Sequence, residues 1–96
     1  MKAYLVVDLA VHDPEGFKPY IAGIPGCVAR HGGRFLVRGA TPTPVEGGWS
    51  PERMVVIEFP ARGNAEQFLA DPEFQELAKI RRRATVSKLV LVDGAE

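Results

Sequence analysis

Two arginines, Arg34 and Arg38, interrupt the apolar run Gly33-Arg34-Phe35-Leu36-Val37-Arg38-Gly39, and Glu58 interrupts Met54-Val55-Val56-Ile57-Glu58-Phe59 in the same way. Asp8 stands alone inside Tyr4-Leu5-Val6-Val7-Asp8-Leu9. A guanidinium can hold a carboxylate or enolate oxygen through two parallel hydrogen bonds, and a neighbouring carboxylate can take up and return a proton. The same residues can equally form an internally compensated ion-pair network that sets strand register. Both readings require the charges to meet on one face of a sheet.

Alternation along the strands assigns the faces. Arg34, Leu36 and Arg38 share a face opposite Phe35 and Val37, while Met54, Val56 and Glu58 share a face opposite Val55, Ile57 and Phe59. Tyr4, Val6 and Asp8 form the matching face of the first strand. The first and third strands are expected to run parallel, which puts Asp8 and Glu58 at the same end, and an antiparallel second strand brings Arg34 to Glu58. The expected cluster is Asp8, Arg34 and Glu58, with Lys88 beside Asp8 if it has the same parity.

His31 follows the last turn of a helix, where the dipole favours its protonated form, and is a candidate proton carrier or simply a helix-terminal residue. Trp49, in the loop Ala40 to Ser50 with Pro42, Pro44, Gly47 and Gly48, can close over a pocket or pack across a partner subunit. His12 reads as a solvated turn residue and Arg81-Arg82-Arg83 as a solvated charge run at a helix C-terminus. Cys27 has no second cysteine to pair with and reads as a small apolar residue on a helix. Two isolated histidines offer no metal spacing, and the glycine pairs fit no phosphate-loop or dinucleotide fingerprint, so no metal, haem or flavin is expected.

The elements that position these residues follow from patterning. Lys2 to Val11 is a strand apolar on both faces; Asp13-Pro14-Glu15 starts a helix whose stripe is Phe17, Tyr20, Ile21, Ile24, Cys27 and Val28. Pro25-Gly26 predicts a kink or break in that helix, and Gly32-Gly33 its end. Strands follow over Gly33 to Gly39, Arg53 to Phe59 and Thr85 to Val92. Between the last two, Asn64-Ala65-Glu66-Gln67 resembles a capping box and Asp71-Pro72 a second cap that restarts the helix. The order βαββαβ predicts an α+β, ferredoxin-like fold: a four-stranded antiparallel sheet in order 4-1-3-2 with its helices on one face. The other face is apolar too, which calls for a second copy packed sheet to sheet, a homodimer.

The chain has 96 residues, enough for a single domain over 1–96, with 12 acidic and 12 basic residues and one cysteine. Zero net charge removes the broad positive field that draws in nucleic acid or anionic membrane. No apolar stretch is long enough to span a bilayer and no secretory leader pattern opens the chain, so a cytoplasmic location is expected.

Several ordered motifs together carry a family resemblance: Asp13-Pro14-Glu15 before Tyr20, His31-Gly32-Gly33-Arg34-Phe35-Leu36-Val37-Arg38-Gly39, Val45-Glu46-Gly47 before Trp49, Pro51-Glu52-Arg53, and Ile57-Glu58-Phe59-Pro60. Over nearly the whole chain the sequence resembles the uncharacterised family catalogued as domain of unknown function 1330. The resemblance implies a dimeric α+β barrel without an agreed activity. More distant relatives by fold include cofactor-independent monooxygenases of antibiotic biosynthesis, muconolactone isomerases and haem-handling proteins, so fold alone assigns no chemistry. Pro25-Gly26 departs from the uninterrupted helix that the resemblance implies.

Two functions are consistent with these residues. One is a dimeric module that binds a small organic acid in a pocket near the sheet and dimer interface, with Arg34, Arg38 and Trp49 as ligand contacts. The alternative is a cofactor-independent monooxygenase or isomerase acting on a small organic substrate, with Asp8, Glu58 and His31 as the catalytic candidates. No nucleophile with a base at fixed spacing is visible, which ranks hydrolase chemistry below both.

Overall fold

A computed structural model describes residues 1–95. Its elements are β1 (Ala3–Val11), α1 (Pro14–Arg30), β2 (Arg34–Ala40), β3 (Arg53–Phe59), α2 (Arg62–Ala70), α3 (Pro72–Ala84) and β4 (Thr85–Asp93). The sheet order is β2-β3-β1-β4 with every pairing antiparallel, which is the ferredoxin-like arrangement. β1 and β3 therefore do not run parallel as expected. Each strand-helix-strand crossover returns the chain in its original direction, so β1 parallels β2, and the β2–β3 connection then reverses it. Tyr4 consequently faces Glu58, and Asp8 faces Met54 at the other end of the strand.

The helix ends are set by local chemistry. Asp13 caps α1, its Oδ1 accepting from the Gly16 amide at 3.1 Å, and Pro14 occupies the first turn. α1 then runs as one helix through Pro19 and Pro25, so of the expected kink or break at Pro25-Gly26 the break does not occur. The two prolines each cost about 3 kcal/mol, and burial of Phe17, Ile24 and Val28 on one stripe, at roughly 1.5–3 kcal/mol each, offsets them. Gly32, at φ 76°, turns the chain out of the helix while the Gly33 amide reaches back to the Val28 carbonyl at 3.0 Å.

α2 begins at Arg62, earlier than the expected capping box, and has no side-chain cap. The amides of Asn64 and Ala65 already bond the Ala61 carbonyl, so Asn64 lies inside the first turn. Asp71 does cap α3, accepting from the Glu73 amide at 2.8 Å.

The core lies between the sheet and the three helices. Leu5, Val7, Leu9, Ile57 and Phe59 face Phe17, Ile24, Val28, Phe68 and Phe74. Phe68 is the hub, its ring centroid 5.3 Å from that of Phe59 and 4.4 Å from that of Phe74. The opposite sheet face carries Val56, Val6 and Val90 in one row across β3, β1 and β4, and Val90 is 61% exposed. Leu36, Val86 and Val92 extend this uncovered apolar surface.

One irregularity in β2 changes the faces. Phe35 pairs with Ile57 but Val37 pairs with Val56, so Leu36 is an extra residue in a β-bulge. Beyond it the alternation is inverted. Arg38 lies opposite Val55 on the helix side of the sheet, and does not share the Arg34 face as alternation alone predicts.

Candidate functional site

The expected cluster of Asp8, Arg34 and Glu58 divides into two groups on the helix-free face. Arg34 and Glu58 are register partners, with Arg34 Nε 2.9 Å from Glu58 Oε1. The Tyr4 hydroxyl donates to Glu58 Oε2 at 3.3 Å, and Lys2 Nζ lies 3.5 Å from Oε1. The Glu58 side chain is only 11% exposed. The hydrogen bond from Arg34 holds its carboxyl below the usual range, with Lys2 and Tyr4 acting in the same direction and partial desolvation opposing them. These donors hold Glu58 as an ionised strut between strands.

Asp8 belongs to the other group. It lies opposite Lys88 in β4, as parity anticipates, and its Oδ2 accepts from Trp49 Nε1 at 2.8 Å. The long loop thus reaches back to β1 on the helix-free side. Trp49, 58% exposed, is not a lid over the space beneath the helices.

His31 is separated from both groups. It ends α1, and its Nε2 lies 2.8 Å from Asp71 Oδ2. Arg30 Nη2 binds the same Asp71 oxygen at 2.9 Å and Arg30 Nη1 reaches Glu73 at 3.2 Å, joining the end of α1 to the start of α3. The His31 hydrogen bond, then that from Arg30 and the Glu73 amide, depress the Asp71 carboxyl far below its ordinary value. Burial pushes the neighbouring Cys27 thiol up, away from the reactive thiolate. Among the described residues, no three His, Cys, Asp or Glu side chains gather where a metal ion could sit.

The concave site lies instead under the helices, a cavity of about 160 Å³ between the inner sheet face, α1 and α3. Leu9, Phe17, Ile24, Phe35, Val55 and Phe74 supply its apolar wall. Its polar groups are Tyr20 and three arginines, Arg38, Arg53 and Arg81, and no acidic residue lines it. Arg38 and Arg53 are exposed at the mouth, with the Arg38 guanidinium stacked 4.6 Å from the centre of the Phe35 ring. Burial pushes the Tyr20 hydroxyl up from its ordinary value, while the charge of Arg81 and a hydrogen bond from its guanidinium pull it the other way.

Arg81 is the residue that the sequence reading missed. It is not part of a solvated charge run, since its exposure is only 5%, whereas Arg82 and Arg83 are exposed. Its Nε donates to Ser87 Oγ at 3.1 Å, and its guanidinium carbon lies 5.9 Å from the Tyr20 ring centre and 5.8 Å from that of Phe74. Its Nη1 is buried and has no hydrogen-bond partner among the described residues. The signal was available in the spacing: Phe74, Ala78, Arg81 and Thr85 fall at helical intervals, and all four are buried.

Fold and cavity define a ferredoxin-like α+β protein with an arginine-lined cavity beneath its helices. The chain belongs to the family described as Domain of unknown function (DUF1330), whose model matches residues 2–95. No curated protein matches it. Among solved structures, it is similar to a protein of unknown function from Rhodopseudomonas palustris at 17% identity and TM-score 0.75, covering 99% of this chain and 83% of that one. It is similar to SnoaB, a cofactor-independent oxygenase from Streptomyces nogalater, at 22% identity and TM-score 0.69, covering 99% and 94%. A dimeric ferredoxin-like protein of unknown function from Jannaschia sp. matches at 11% identity and TM-score 0.74, covering 98% and 100%. At such identities the likeness is one of fold. No helix of the described residues is long and apolar enough to cross a membrane.

Proposed function

We propose that this protein is a cytoplasmic homodimer that binds a small organic acid in the cavity between its sheet and helices. The observation that carries this reading is Arg81, a cation that is 5% exposed, forms no ion pair among the described residues and borders an apolar cavity lined by no acid. A buried charge without a partner is costly, and a ligand carboxylate supplies the missing partner through a charge-assisted hydrogen bond. The apolar wall takes the body of the ligand and the guanidinium takes its head, the usual division in small-molecule sites. The dimer is supported by the uncovered row Val56, Val6 and Val90 and by the dimeric relative from Jannaschia sp..

Binding is favoured over a cofactor-independent oxygenase or isomerase by the positions of the proposed proton carriers. Asp8 and Glu58 lie on the helix-free face and His31 against Asp71, so none of them lines the cavity. The similarity to SnoaB supports that alternative through fold only. A thermal-shift screen against small carboxylates and their methyl esters tests the reading, since a ligand of N raises the midpoint by mass action. Acids should stabilise and esters should not. A screen in which no carboxylate shifts the midpoint overturns it.

A further inference from the structure

Resting on that acid-binding reading, we propose that the cavity has two anion poles and takes a one-ring acid bearing carboxylates at both ends. The first pole is Arg81, which projects from α3, is held through Nε by Ser87 of β4, lines the cavity and forms no ion pair among the described residues. The second is the pair Arg38 and Arg53 at the mouth, neither of which forms an ion pair among the described residues.

Sheet register separates the poles. Ser87 of β4 lies opposite Leu9 of β1, and Leu9 lies opposite Arg53 of β3, so the three form one row across the sheet. Strands are spaced at roughly 4.8 Å, which puts the backbones of Ser87 and Arg53 about 10 Å apart. Arg38, opposite Val55, stands one strand further on in β2, and the bulge at Leu36 turns it to the helix side. Leu9, part of the apolar wall, lies between the two flanks.

Volume sets the size of the body. The cavity of about 160 Å³ is close to the roughly 150 Å³ that accommodates benzene in an apolar protein cavity. A monoacid of that size can satisfy one pole only, while a para-dicarboxylate places an anion at each. Three arginines and no acid line the cavity, so its walls favour an anionic ligand.

Calorimetric titration at low ionic strength with benzene-1,4-dicarboxylate, its monomethyl ester and benzoate tests the inference. The diacid should bind at least about tenfold tighter than either monoacid, as an added charge-assisted contact implies. The double variant Arg38→Gln with Arg53→Gln should bring the diacid to the monoacid level; both positions are exposed, so the fold is retained. Monoacids that bind as tightly as the diacid, or a diacid preference that survives the double variant, overturn the two-pole inference. In that case, monoacid affinity weakened by Arg81→Lys leaves the acid-binding reading standing. Failure of all three acids to bind overturns the two-pole inference as well, and a blank carboxylate screen then removes the underlying reading with it.

Discussion

The Arg38 guanidinium lies 4.6 Å from the centre of the Phe35 ring, a contact between residues three apart in one strand. Strict alternation would set them on opposite faces. The bulge at Leu36 inserts one residue and brings both to the helix side, where they border the cavity. Arg34, before the bulge, stays on the other face with Glu58.

This separation predicts different behaviour for two similar residues. Arg38→Ala should weaken binding of a dicarboxylate found in the screen, with little change in stability because the side chain is exposed. Arg34→Ala should leave that affinity unchanged and lower stability through Glu58. Paired calorimetric titrations and denaturant midpoints distinguish them, and equal losses of affinity would refute the assignment of faces.

Arg81 should show opposite effects on stability and binding. Arg81→Met removes a buried cation with an unpaired nitrogen and supplies an apolar side chain of similar length. Replacing buried charge by well-packed apolar groups is often neutral or stabilising by about 1–4 kcal/mol. The variant should therefore melt no lower than the parent and lose acid binding. A large fall in the melting temperature would mean that Arg81 is a structural element of the fold.

The helix-free face sets the assembly. Val56→Asp places a charge in the middle of the row Val56, Val6 and Val90, and should shift the protein from dimer to monomer in light scattering. A parent protein that is monomeric at micromolar concentration would contradict the dimer.

Acid should destabilise the protein through Glu58 and Asp71, whose folded carboxyl values both lie below the ordinary ones of 4.5 and 3.8. A depressed folded value means that the unfolded chain binds more protons at low pH. The stabilisation is complete above the ordinary values and is lost as pH falls through the folded ones. Denaturant midpoints should be level between about pH 7 and 5 and fall below about pH 4. Glu58→Gln and Asp71→Asn should each flatten that fall. A midpoint that rises on acidification would show the sign to be wrong.

The elements were legible in the sequence because they rest on local chemistry: the caps at Asp13 and Asp71, the turn at Gly32, and the apolar, β-branched runs of β1, β3 and β4. Their order implied the sheet topology, since short right-handed crossovers leave few alternatives. The pairing of Arg34 with Glu58 and of Asp8 with Lys88 followed from adjacent strands and parity. What local pattern could not supply was anything that depends on one inserted residue or on strand direction. The bulge at Leu36 inverts the face of Arg38, and antiparallel pairing of β1 with β3 carries Asp8 away from Glu58. Arg81 shows the same limit, for its type marks it as solvated while its place on the buried stripe of α3 takes it inward. Residue type and spacing determined which elements form; only tertiary packing decided which charges meet, because a face or a burial is defined by what lies against it.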